Sequence, residues 1–540
     1  MGKKINLKEV LIVQLLIFSA LAASFIPTIY YVAIAPPTTI FPLIHNNHPD
    51  YYYYLSLMRQ GLEGRWLVTS RFTPETFPPR LAQSFFVLLG QISKITSIDL
   101  PMIYTLSRLI FGLALGLSIY FLIALFDKKT TVRIAGMIFA LFGSGFWFIK
   151  NGEINRFMSF WTGFDARERV SFLPHHLLAA AAIVVSIIFL SLLVNTKEKN
   201  YLVLACLTGF VGACANPISL SNLFLALILT MILLVIGIRQ HRDDLKKIVF
   251  PVFIYLVAGG IPFIYFFTIR QTTFPWTNYK ESLRMVIDYP FSFKEYLLSL
   301  GPVGLLAILG IKDVWRRKNF LSIIIISWFL TPFIGIFVIA KLFNTGNAYF
   351  FNAAHYIPTA IIGAIGFINP INLISKKTGF KKNLLLIPLT MLLIGYFSVS
   401  WYGSIKKEIG RWTTNSYNIF LPSDFIMAFK FLDEHSVPES VVLTGRDLGN
   451  IIPAFTHNRT VIGHIVNTFD PATKYAEAER FFSQTDAAFA RRLIKKYRIA
   501  YVFYALDTPP PQAGFINALR LKKIYQNPTV AIFSPQKIEL

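Results

Sequence analysis

Charge is what this 540-residue sequence has least of. Asp, Glu, Lys and Arg make up 15 % of it, against about 25 % in soluble domains. With 54 % hydrophobic residues and a mean hydropathy of +0.54, that scarcity excludes a soluble globular protein. Cysteine is almost absent. Cys206 and Cys214 lie in one apolar segment, which excludes a disulfide framework and suits small buried thiols. A glycine-rich phosphate loop, an HExxH zinc motif and a nucleophile elbow are also missing, as are internal repeats and low-complexity linkers. Acidic residues are the scarcer charge: 28 against 52 Lys and Arg, a net charge of +24. In a soluble protein this balance would point to nucleic acid. In an apolar chain the collection of Lys and Arg in cytoplasmic loops accounts for it, and no nucleic-acid partner is expected.

What is present is a series of apolar segments near the roughly 20 residues that cross a bilayer. Hydropathy places spans near 10–34, 101–126, 132–150, 175–194, 201–216, 217–238, 249–269, 295–311, 320–341, 354–371 and 384–402, about eleven in all. "MGKKINLKEV" precedes the first without a small-residue cleavage site and reads as an uncleaved signal anchor. Lys3, Lys4 and Lys8 put this end in the cytoplasm. The connections "DKKTTVR", "NTKEKN", "RQHRDDLKK", "KDVWRRKN" and "SKKTGFKKN" then all fall on the same side, and each is short and basic. Counting residues 80–97 as a span would invert this agreement. That segment and residues 51–64 therefore read as interfacial helices on the outer surface, in a first outer loop from about 35 to 100. Residues 421–540 alternate strand-like runs ("SVVLT", "RTVIG", "AYVFYA", "TVAIFS") with helical stretches, the pattern of a small α/β domain. The division expected is a transmembrane domain over 1–410 and an extracytoplasmic α/β domain over 411–540.

The outer loops gather the polar chemistry. "HNNHPDYYYYLSLMRQGLEGRW" sets Asp50 between the first span and four tyrosines. Asp50 reads as the N-cap of the helix that follows, which leaves its carboxylate open to a second, compatible role. Tyr51 to Tyr54 read as an interfacial belt or a sugar-stacking surface. His45, His48 and Asp50 could supply three ligands to a divalent cation. Asp165 and Glu168, in "DARE", are secondary acidic candidates or members of a solvated loop. His48, His175 and His176 are further cavity candidates, the last two opening a span after Pro174. Arg71, Arg270 and Arg284 stand in outer loops. Arg108 is a full charge inside a predicted span, where charges are costly and often functional; the alternative is snorkelling. "CANPIS" (214–219) reads as a tight turn between two spans.

A long first span, an outer loop with an acid, two surface helices and many further spans resemble the GT-C superfamily of membrane glycosyltransferases. The superfamily includes oligosaccharyltransferases, protein O-mannosyltransferases and aminoarabinose transferases. "HPDYYYYLSLMRQG" places Asp50 at the point where that resemblance implies a catalytic acid. The sequence departs from the family's paired acids, because Tyr51 follows Asp50, and "DARE" does not reproduce the spacing of the metal-binding acids of oligosaccharyltransferases. The resemblance implies a polyprenyl-phosphate-linked sugar as donor, a glycan, lipid or protein acceptor, and work at the outer face of a bacterial or archaeal cytoplasmic membrane. It also implies Asp50 as base, with Arg71, Arg108, Arg270 and Arg284 as candidates for the donor phosphate. A glycan polymerase or ligase with a pyrophosphate-linked donor is a second reading. A non-enzymatic transporter or scaffold is a third; it should show paired halves or several intramembrane charges.

Overall fold

The computed structural model describes residues 7–157, 165–237, 242–279, 292–343 and 346–536. Among these, nine helices are long and apolar enough to cross a bilayer: α1 (Leu7–Ile34), Leu100–Phe126, Pro174–Thr196, Pro217–Ile236, Ile248–Thr272, Phe293–Trp315, Phe320–Leu342, Tyr356–Thr378 and Lys382–Ile409. The chain is a mostly helical, polytopic membrane protein with a small sheet near its C-terminus.

Two of the eleven expected spans are shorter than hydropathy suggested. Residues 132–150 form the helix Thr130–Phe142, followed by β2 (Trp147–Lys150) paired antiparallel with β3 (Glu153–Arg156). At 1.5 Å per residue, these 13 residues extend about 20 Å, short of the roughly 30 Å hydrocarbon core. Residues 201–216 form Asn200–Ala215, 16 residues long. It stops where Pro217 opens the next helix, and Asn216 Oδ1 accepts from the Ser219 N–H at 3.2 Å. The expected turn is thus a side-chain cap.

The chain divides into two compact units. The first comprises Met1–Pro27, Leu106–Tyr265 and Arg284–Arg411. Its centre is built from helices that are apolar all round. The most hydrophobic stretches of Phe320–Leu342 and Tyr356–Thr378 are 67 % and 72 % buried, whereas that of Lys382–Ile409 is 17 % buried. This last helix shows Leu384, Ile387, Met391 and Leu392 to its surroundings, as a helix in contact with lipid tails does.

The second unit comprises Thr28–Thr105, Phe266–Leu283 and Trp412–Leu540. It is therefore more than the domain expected over 411–540, because two earlier segments are built into it. In it β1 (Thr39–Ile40) pairs antiparallel with β4 (Leu421–Pro422), and its sheet contains β5 (Val441–Leu443), β6 (Arg459–Thr460), β7 (Ile499–Tyr504), β8 (Leu521–Gln526) and β9 (Ala531–Pro535) in the order β6-β5-β7-β9-β8. β5 runs parallel to β6 and β7, while β9 is antiparallel to β7 and β8. Two short helices from the first loop belong to the same unit, α2 (His48–Leu62) and α3 (Ser84–Thr96). They cross backbone to backbone: a Cβ on Gly61 would lie 2.2 Å from the Val87 carbonyl oxygen, and one on Gly90 1.9 Å from that of Met58. Only glycine permits this approach. The opposite flank of α2 meets the helix Arg446–Phe455.

The tyrosine row is core, and this corrects both the belt and the stacking readings. Tyr51, Tyr52 and Tyr53 are at most 2 % exposed. Tyr51 donates to the Pro42 carbonyl at 2.5 Å and Tyr52 to that of Asn418 at 2.8 Å, while Tyr54 stacks on Phe86. α2 is enclosed on several sides, so four successive side chains, about 100° apart around a helix, all find protein to pack on.

Candidate functional site around Asp50

The sequence "NNHPD" determines how α2 starts. Asn47 is the N-cap, Pro49 stands in the first turn, and Asp50 follows at the third helical position. The N-cap position expected for Asp50 is therefore held by Asn47, whose side chain makes no capping bond to the helix backbone and turns to Asp50 instead. Asp50 sits where a negative charge is favoured by the helix dipole, and its carboxylate bonds to side chains. Oδ2 accepts from Asn47 Nδ2 at 2.8 Å, and Oδ1 lies 3.0 Å from His464 Nε2. Among the described residues no Lys or Arg pairs with it. Its side chain is 43 % exposed, whereas that of His464 is 5 % exposed.

His464 was not legible as a site residue in the sequence. It lies over 400 positions from Asp50 in a turn after β6, closed by bonds from the Asn467 and Thr468 N–H groups to its carbonyl, both 2.9 Å. Its Nδ1 lies 2.8 Å from Asn467 Nδ2. A side-chain NH2 only donates, so Nδ1 accepts, and the proton of a neutral imidazole sits on Nε2, aimed at Asp50. The tautomer follows from this assignment of the Asn467 amide. Tyr53 and Phe72 flank the ring, with centroids at 5.3 and 6.1 Å. Burial pushes the Asp50 carboxyl upward, but the His464 hydrogen bond and charge, the Asn47 hydrogen bond and the charge of His48 outweigh it. The result is a carboxyl held below its ordinary value.

The other expected residues fall in different places. His48 shares the unit with Asp50, and its Nε2 lies 3.3 Å from Asn418 Nδ2. His45 is buried. Among the described residues no three His, Cys, Asp or Glu side chains converge as metal ligands, so the cage of His45, His48 and Asp50 is not formed. Arg270 donates to the Tyr279 carbonyl at 3.3 Å, and the Tyr279 hydroxyl accepts from Asn467 at 3.3 Å. Arg284 lies outside the described residues.

Arg71 is 0 % exposed and engaged in a buried ion network. It donates to Glu63 at 2.9 and 2.5 Å and to Glu439 at 3.1 and 2.8 Å. Arg459 meets Glu439 at 2.7 Å, and Arg59 reaches Asp433 at 2.8 Å. A guanidinium already opposed by two carboxylates has a structural task here, which corrects its assignment to a lipid phosphate.

In the first unit, Asp165 and Glu168 are not part of a solvated loop. Asp165 meets Arg156 at 2.8 Å, accepts from Ser404 at 2.8 Å and caps the short turn Ala166–Glu168 through the Arg167 N–H. Burial pushes the Asp165 carboxyl up, and Arg156 and Arg167 more than reverse it, holding it far below the usual carboxylate range. Glu168 pairs with Arg167. Arg108 is fully buried. Its Nε donates to the carbonyls of Ser171 at 2.7 Å and Phe172 at 3.3 Å, and its guanidinium lies 4.7 Å over Phe25. This removes the snorkelling reading. His175 and His176 touch edge to face at the start of Pro174–Thr196.

Among solved structures, the chain is similar to the oligosaccharyltransferase of Archaeoglobus fulgidus, determined while tethered by a disulfide bond to an acceptor peptide containing the NVT sequon. The TM-score is 0.46 and the identity 12 %, over 90 % of this chain and 69 % of that one. No protein-family profile matches the sequence, and no curated protein matches it.

Proposed function

We propose that this chain is a membrane glycosyltransferase that moves a sugar from a polyprenyl-phosphate donor to an acceptor hydroxyl, with Asp50 as general base. The observation that carries this reading is the state of the Asp50 carboxylate. It is partly exposed, held by two side chains that favour its ionised form, and among the described residues no arginine or lysine neutralises it. Glu63, Glu439 and Asp165 are each opposed by arginine. The position of Asp50 just after the first span adds the resemblance to GT-C enzymes.

In the reaction the acceptor oxygen attacks the anomeric carbon. The bond from that carbon to the phosphate oxygen breaks, and the lipid phosphate leaves with the electron pair. The acceptor proton passes to Asp50. His464 holds the carboxylate in place and keeps it ionised. The leaving phosphate gains charge and needs a cation. We assign this role to Arg270, which is linked through Tyr279 and Asn467 to His464.

Asp50→Asn keeps the size and one acceptor oxygen but removes the base. Transfer measured in membranes should fall about 10²- to 10⁴-fold with unchanged folding. A rate within a few-fold of the parent would reject the assignment.

A further inference from the structure

The sheet of the second unit has a topological switch point that the proposed transfer chemistry does not use. β5 leads through the helix Arg446–Phe455 to β6 on one side. From β6 the chain passes through Pro471–Phe482 and Ala487–Tyr497 to β7, on the other side of β5. Successive crossovers that run in opposite directions along a sheet open a crevice beyond the carboxyl ends of the strands, the usual ligand position in open α/β sheets. A cleft of about 510 Å³ lies there, lined by Gly445, Arg446, Tyr475, Glu479, Phe482 and Asp507. That volume falls within the roughly 300–1,000 Å³ of small-molecule pockets.

The lining has a mixed character. Arg446 is exposed, makes no ion pair among the described residues, and lies 5.1 Å over the Tyr475 ring. Asp507 lies against Gly445, where a Cβ would come within 2.2 Å of its Oδ2. That oxygen accepts from the Leu448 N–H at 3.1 Å, while Oδ1 is buried and has no hydrogen-bond partner among the described residues. Burial, with the neighbouring charge of Asp447, pushes the Asp507 carboxyl up to about 6. Glu479 adds a second carboxylate at the surface, and Tyr475 and Phe482 add aromatic walls. An unpaired guanidinium, two carboxylates and aromatic rings suit a ligand that donates and accepts hydrogen bonds at close spacing and also has apolar C–H faces. Sugars combine these properties. Arg446 and Ile465 also line a small pocket of about 80 Å³ that His48 and His464 border, so the cleft neighbours the Asp50 site.

We infer that this cleft is a saccharide-binding subsite, with Arg446, Glu479 and Asp507 holding ring hydroxyls. Binding there does not require transfer, so the inference stands or falls separately from the proposed reaction.

The test uses full-length protein in detergent and a panel of free neutral sugars: glucose, mannose, galactose, N-acetylglucosamine and their disaccharides. Saturation-transfer NMR should detect at least one as bound. Because Asp507 also holds the start of a helix, the exposed positions carry the test. Arg446→Ala and Ser483→Trp, the latter filling the cleft, should each weaken binding about tenfold or more. Asp50→Asn should leave binding unchanged while transfer is lost. Competition by a polyprenyl-phosphate sugar would mean that the bound sugar is the donor's; no competition would identify the acceptor's. Silence across the panel, or binding unaltered in both Arg446→Ala and Ser483→Trp, overturns the inference.

Discussion

At the scale of single residues, Asp50 and Arg71 show how one charge is left available and another is consumed. Asp50 owes its lowered pKa to its neighbours, above all the hydrogen bond from His464. The sign of the pH effect follows. In the proposed reaction the active form is the carboxylate, and its neighbours hold its pKa below the ordinary value against the upward push of burial. Replacing His464 by Ala removes the largest downward contribution. The acid limb of the rate–pH profile should then move to higher pH, and His464→Gln, which restores an N–H donor, should bring it back. An acid limb unmoved in His464→Ala would show that the pair has no bearing on the base. Arg71 should behave differently. Its removal takes the fully buried cation from between Glu63 and Glu439, which keep only their less buried partners Arg59, Arg65 and Arg459. Breaking a buried pair costs about 3–5 kcal/mol, so Arg71→Ala should lower thermal stability in detergent sharply. The KM for donor in protein that remains folded should not change; a selective rise in that KM would return Arg71 to the donor site.

At the scale of elements, α2 and α3 decide where Asp50 is held. Both were expected as helices, and both are too short to span. Their contact was not expected, since "MRQGL" and "LLGQI" carry no pattern that pairs one glycine with the other. Gly90→Val should force the two helices apart, because its Cβ would meet the Met58 carbonyl oxygen at 1.9 Å. Overpacking costs about 1–3 kcal/mol where neighbours can give, and a backbone neighbour gives little. Loss of both stability and transfer is expected, with melting and transfer assays as the checks. Full stability in Gly90→Val would mean that the crossing is looser than described. α3 also leaves Leu88, Ile92 and Ile95 exposed on its other face, the arrangement an interfacial helix needs.

At the scale of the whole molecule, charge asymmetry between loops predicts which ends face the cytoplasm. Ser483, in the second unit, and Thr378, at the end of Tyr356–Thr378, are both exposed. With Cys206 and Cys214 replaced by Ala, an impermeant thiol reagent added outside intact cells should label Ser483→Cys and not Thr378→Cys. The opposite pattern would invert the topology and remove Asp50 from the outer face.

The sequence by itself determined the apolar class, most of the long helices and their approximate ends, the two short helices of the first loop and the α/β character of the C-terminal segment. These are local properties, because hydropathy, helix periodicity and caps act over a few turns of chain. It also singled out Asp50, through its place between a span and a helix. Tertiary structure alone decided what each polar side chain does. His464 could not be matched to Asp50 from spacing, nor Glu439 to Arg71, because a turn after β6 and a loop before β5 bring them together across more than 360 residues. The tyrosine row misled for the same reason. Amphipathic rings suit a membrane interface and a packed core equally well, and only the enclosure of α2 by its neighbours determines which one they meet.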